Sequence, residues 1–321
     1  MAFYSFQEVY SVNERLDAAM DNWLLNYKKN SVKPATYDRL RISFEMMKRY
    51  SISSRPVSEV TADDIQLYLN QLVDDEYSRS TIKKQFTLLT AFLKNEYSQG
   101  RIKNPVYVSV KLPVEEVMKK PTKQLETYSQ MDQKRLLAVL NRLEYRNYGA
   151  LILMLEAGLR SGEAQCLTWD DVLWEQKAVR INKTMVRSSI HNGSTFVQHS
   201  AKSKTSNRTI PLSQRALDTL KSLYESAGNT YGFIFPDADD CTLPISHCAV
   251  RYYLKKACRD AGIKYRSAHA LRHSFASNCY YRGCNVKVLS KLLGHADVAI
   301  TYNIYIHLYG NELEEMRKVI G

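Results

Sequence analysis

Four separated stretches of the 321-residue sequence carry polar side chains at spacings that could do chemistry. The first is Ala157-Gly158-Leu159-Arg160-Ser161-Gly162-Glu163, directly after the apolar run LILML. An arginine between two glycines at a helix end is presented on a turn, where its planar fork can grip a phosphate, although exposed arginines beside glycine are also common without such a role. The second stretch, Ala201-Lys202-Ser203-Lys204-Thr205-Ser206-Asn207-Arg208, leads into TIPL. It reads as the polar tip of a β-hairpin, either a reaching lysine or a solvated turn. The third is His269-Ala270-Leu271-Arg272-His273. On a helix, positions 269, 272 and 273 share one face. Two histidines four residues apart can ligate a metal, but an arginine stands between them and no nearby Asp, Glu or Cys offers a third ligand, so anion binding suits the trio better. The fourth is Leu293-Gly294-His295, followed by Thr301-Tyr302-Asn303-Ile304-Tyr305-Ile306-His307. Gly294 ends a helix and His295 emerges at its last turn. Among 22 tyrosines, any single one is more often packing than reacting.

Two kinds of architecture must hold these stretches. Residues 13–29 and 36–50 read as helices. Thr61 with Asp64 resembles a capping box ahead of Ile65, Leu69 and Leu72, and a further helix after Ser80 carries Ile82, Phe86, Leu89 and Leu93 on one face until Gly100 stops it. The expectation is a mainly α N-terminal domain, residues 1–108, built as a small helical bundle. Arg79, Lys83, Lys84 and Thr87 lie off the apolar stripe and either track a DNA backbone or form an ordinary solvated face. Residues 109–124, SVKLPVEEVMKKPTKQ, have two prolines and no period and read as a linker. Beyond it, helical patterns over 129–144 and 146–157 give way to strand-like runs at Val179–Val186, Thr195–Gln198 and Arg208–Leu212, then to helices from about residue 213. Residues 125–321 therefore read as α+β, mostly helical with a small antiparallel sheet.

Charge is distributed unevenly. Of the net +12, residues 1–110 contribute 15 Lys+Arg against 13 Asp+Glu, and residues 111–321 contribute 30 against 20. An excess of this kind suits a phosphate-backbone partner, though a basic pI alone would mean no more than solubility. The six cysteines form no C-x-x-C pair and no zinc spacing, so neither a metal nor a cofactor is expected. There is no run of about 18 apolar residues and no signal-like N-terminus, which predicts a cytoplasmic protein.

Taken together, Arg … Lys … His-x-x-Arg … Leu-Gly-His … Tyr in a domain of roughly 200 residues after a helical one resembles the tyrosine recombinases, the phage integrase family. Arg272 precedes His295 by 23 residues and Tyr305 follows ten later within Tyr305-Ile306-His307. Lys202, Ser206 and Arg208 match the family's K-x-x-x-S-x-R register. The resemblance implies that Arg160 and Arg272 hold the scissile phosphate and that Tyr305 attacks to form a 3′-phosphotyrosine. It also implies that His269 manages the tyrosine proton, Lys202 protonates the leaving oxygen, His295 donates to the phosphate and Glu163 orients the others. Lys204 and Arg208 are expected on DNA, His273 and His307 in structural roles, and Tyr302 is the rival nucleophile. The implied partner is double-stranded DNA with inverted-repeat recombination sites, bound by a tetramer. Leu313, Met316 and Ile320 form an apolar stripe in the C-terminal tail, which either docks on a neighbouring protomer or packs on its own domain. A type IB topoisomerase and a non-catalytic DNA-binding regulator are the competing functions.

Overall fold

The computed structural model describes residues 14–118, 126–142, 145–187, 195–199, 207–227 and 232–306. The chain divides into two compact units near residue 123.

The first unit is helical: α1 (Leu16–Trp23), continued by a π-helical turn over Leu24–Lys28, then α2 (Pro34–Met47), α3 (Ala62–Asp74) and α4 (Arg79–Ser98). Its core is one apolar cluster that includes Leu16, Met20, Trp23, Phe44, Ile65, Leu69, Leu89 and Phe92. The capping box at α3 is present, with Asp64 N–H donating to Thr61 Oγ1 at 3.2 Å and Thr61 N–H to Asp64 Oδ2 at 3.0 Å. The α4 helix begins earlier than the sequence suggests. Ser78 is its cap, accepting from Thr81 N–H, and Ser80 is already inside the first turn. Residues 109–118, the described part of the expected linker, are fastened to this unit. Gln66 and Lys111 exchange hydrogen bonds at 3.0 and 3.2 Å, and Val110, Leu112 and Met118 pack on the core.

The second unit contains α5 (Gln130–Leu140), α6 (Tyr145–Glu156), α7 (Ser161–Gln165), α8 (Gln214–Ser226), α9 (His247–Asp260), α10 (Ala268–Tyr281), α11 (Val286–Leu293) and α12 (Val298–Ile306). Leu151, Ile152, Leu153, Met154 and Leu155 of α6 are all buried. A helix apolar on every side belongs at the centre of a unit, and α6 packs against α5, α8, α9 and α10.

The strands correct two expectations. The run read as Val179–Val186 is two strands, β2 (Ala178–Ile181) and β3 (Lys183–Arg187), separated at Asn182 because they serve different sheets. β2 pairs with β1 (Val172–Leu173) and with β5 (Arg208–Pro211), whereas β3 pairs with β4 (Thr195–His199), all antiparallel. The strands on either side of Lys202 and Lys204 thus have different partners, and the described residues do not form the expected hairpin between them. Lys202 and Lys204 themselves lie outside the described residues.

Candidate active site

Most of the described candidates in this unit lie at or near element ends, while Arg272 and His273 sit within α10. Arg160 precedes α7, where its backbone N–H donates to Glu163 Oε2 at 2.9 Å and fixes Glu163 beneath it. Gly162 is required here by a close approach. A Cβ at this position would come within 2.8 Å of the Met185 carbonyl and 2.6 Å of Thr184 Oγ1, so α7 lies directly on β3.

Glu163 is the hub. Its carboxylate accepts from Arg160 Nη1 at 2.8 Å and from both terminal nitrogens of Arg208, at 3.0 and 2.8 Å, and Arg272 Nη1 stands 3.8 Å away. Burial raises its pKa, but the hydrogen bonds and charge of Arg208 and then Arg160 outweigh it and hold the group at about 2. Glu163 is therefore ionised throughout the neutral range.

The C-terminal end of α11 is the other half of the frame. Gly294 is left-handed at φ 64°, and its N–H bonds the Lys291 carbonyl while the His295 N–H bonds that of Ser290. This Schellman closure satisfies two of the terminal carbonyls. The next three each accept from a different arginine: Leu292 from Arg208 Nε at 2.6 Å, Leu293 from Arg272 Nη2, and Gly294 from Arg160 Nη2 at 2.9 Å. A helix C-terminus carries partial negative charge, and three cations complete it.

His295 follows directly. Its Nε2 lies 3.1 Å from Arg272 Nη2 and its Nδ1 2.7 Å from Thr301 Oγ1 on α12. Burial, then Arg272 and Arg160, push its pKa down to about 4, leaving a neutral imidazole at pH 7. Arg272 is 2% exposed and also donates to the Gly158 carbonyl at 2.9 Å. Burial and Arg160 lower its pKa to about 9, which keeps it charged. His269, in the first turn of α10, is likewise pushed down by burial, Arg272 and Arg160. His273 meets His269 edge to face at 4.4 Å, and burial, His269 and Arg272 lower its pKa to about 4.

Arg160, Glu163, Arg272 and His295 are thus brought together, with His269 close enough to feel both arginines. Arg208 turns inward: its side chain is 8% exposed and bonded to Glu163 and Leu292, so it braces the site from within. Sequence reasoning missed Thr301, because no local pattern ties it to a histidine six residues earlier. Position 305 lies one turn beyond Thr301 on α12; the Tyr305 side chain, His307 and the C-terminal tail lie outside the described residues. Tyr302 is exposed. On α4 of the helical unit, Arg79, Lys83, Lys84 and Thr87 are exposed, and Arg79 donates to the Pro113 carbonyl at 2.8 Å. Among the described residues no group of three His, Cys, Asp or Glu is placed to hold a metal, and no helix is long and apolar enough to cross a membrane.

This chain belongs to the phage integrase family, whose model matches residues 127–312. It is a tyrosine-type site-specific recombinase. It is 28% identical over 310 residues to a XerC-like tyrosine recombinase of Caldanaerobacter subterraneus, covering 90% of this chain and 78% of that protein. It is 24% identical over 315 residues to the integrase of Staphylococcus phage L54a, covering 91% and 88%. Its fold is similar to that of a Tn1549 transposon integrase in complex with transposon right end DNA, at a TM-score of 0.80, 16% identity, and coverage of 96% and 100%. It is also similar to a lambda integrase tetramer bound to a Holliday junction, at a TM-score of 0.64, 16% identity, and coverage of 91% and 77%.

Proposed function

We propose that this recombinase cleaves and rejoins DNA for a mobile element through a 3′-phosphotyrosine formed by Tyr305. The observation that carries the reading is the convergence of Arg160, Arg272 and His295, from three separate elements, on the end of α11, with the helix bearing Tyr305 next in the chain. Arg160 and Arg272 bind the non-bridging oxygens of the scissile phosphate and offset the charge that grows in the pentavalent transition state. His295 donates a hydrogen bond to the same group. A tyrosine hydroxyl has a pKa near 10, so its attack needs a proton acceptor. His269, kept neutral by burial and two arginines, is suited to that task. Lys202 protonates the leaving 5′-oxygen. The ester energy stays in the protein–DNA bond, so rejoining is the reverse step.

The partner is duplex DNA carrying paired, inverted sites, and the working assembly is a tetramer. The DNA-bound and tetrameric states of the integrases named above support both statements. Lys83, Lys84 and Arg79 contribute backbone contacts from α4, and the C-terminal tail joins neighbouring protomers.

A labelled suicide duplex resolved on a denaturing gel tests the chemistry. Tyr305→Phe should abolish the covalent adduct and leave non-covalent binding within about twofold, since only the nucleophilic oxygen is lost. An adduct that persists in this variant transfers the role to another residue, Tyr302 first. A wild-type chain that binds the duplex but never forms an adduct is a DNA-binding regulator on the recombinase fold.

A further inference from the structure

We propose that Arg208 is a positioning residue for the recombination reaction, acting on Arg160 and Arg272 through Glu163 and on the end of α11 through Leu292, and making no contact with DNA. The inference rests on the reading of the site given above.

Arg208 has its donors committed to the protein: its side chain is 8% exposed, and Nε, Nη1 and Nη2 all donate to protein acceptors. The two terminal nitrogens meet the two Glu163 oxygens side by side, the fork geometry that only a guanidinium supplies. Glu163 is thereby fixed in the plane from which its Oε1 also receives Arg160 and its Oε2 faces Arg272.

The backbone of Arg208 is itself fixed. It opposes Ile181 in the ladder between β2 and β5, so its Cα is set by a sheet. Side chains projected from regular elements are held more tightly than those on loops. Arg208 transmits that rigidity in two directions, to the carboxylate that orders two arginines and to the helix end that precedes His295. Without it, Glu163 would face Arg160 and Arg272 alone and be free to draw either one toward itself. The Leu292 carbonyl would lose its donor, and with it one of the three ties at the α11 terminus.

The test separates binding from chemistry. Wild type, Arg208→Ala, Arg208→Lys and Glu163→Gln are compared for half-site binding across a salt series and for the cleavage rate of a suicide duplex at saturating protein, with thermal midpoints as a folding check. Arg208→Ala should keep its salt slope while the saturated cleavage rate falls roughly a hundredfold, the scale of a catalytic group displaced by an ångström. Arg208→Lys keeps the charge without the fork and should stay slow. It also carries the test if the alanine variant does not fold. Adding Arg208→Ala to Glu163→Gln should cost less rate than Arg208→Ala does alone, because the path through the carboxylate is already cut and only the tie to Leu292 is left to lose. A salt slope lowered by about 0.9 with an unchanged saturated rate would make Arg208 a phosphate contact and overturn the proposal. A folded Arg208→Ala chain that binds and cleaves as wild type would overturn it too. Failure of the underlying reading looks different: wild type itself would give no Tyr305-dependent adduct.

Discussion

The two units use charge to different degrees. In the helical unit several ion pairs lie at the surface, as in Arg41 with Asp21, Lys48 with Glu45 and Arg55 with Asp64, although Glu96 is buried beneath Arg101 and Asp38 is buried too. In the catalytic unit Glu163, Arg208 and Arg272 are all nearly inaccessible to water, beside a core equally rich in leucine and isoleucine. Exposed pairs contribute little to stability, whereas buried ions carry a desolvation penalty that a well-packed apolar residue would avoid. The buried charges of the second hold donors in fixed directions around Arg160, the most exposed of the three arginines at Glu163.

The sharpest way to break this contrast is Glu163→Ala, which strips the counter-charge from three arginines at once. It should destabilise the catalytic unit by about 3–5 kcal/mol, the usual consequence of leaving a buried charge uncompensated. Chemical denaturation followed by tryptophan fluorescence measures it, because Trp169 and Trp174 report on this unit and Trp23 on the other. A loss below about 1 kcal/mol would put the buried cluster on a par with the surface pairs.

Acid should widen the contrast further. His273 and His295 have pKa values near 4 in the fold, below the ordinary 6.5, and Glu163 is near 2, below 4.5. In each case the folded state binds fewer protons than the unfolded chain. Stability is complete above the unfolded values, is lost first as the pH falls from 6.5 toward 4, and is lost again from 4.5 toward 2. Thermal midpoints across this range should fall earlier for the catalytic unit. Melting of the helical unit first in acid would reverse the ranking. The smallest effect belongs to the helical unit's own polar device. Thr61→Ala removes the α3 cap and should cost about 1 kcal/mol with no change in cleavage rate at saturating DNA.

What the sequence made legible follows the same division. The α3 capping box and the Gly294 stop were readable because each is settled within a few residues by backbone geometry. The candidate residues Arg160, Arg272 and His295 were readable from type and order. The tie of Arg208 to Glu163 was not legible because the two are 45 residues apart, and a basic residue looks alike in sequence whether it meets a phosphate or a buried carboxylate. Strand pairing was misread for a related reason. The change of sheet at Asn182 depends on which distant strand each half finds, and both halves are equally β-prone. The attachment of residues 109–118 rests on a reciprocal amide pair between Gln66 and Lys111 that no local pattern announces.

The three carbonyls at the end of α11 have a consequence for timing. An arginine side chain gives up about 2 kcal/mol of rotamer entropy when it is ordered. Here three such side chains are ordered by the protein's own backbone oxygens, so that loss is absorbed during folding and need not be met when a ligand arrives. The helix end serves as a resident surrogate for an anion. It keeps three mutually repelling guanidinium groups gathered on oxygens of the protein's own backbone.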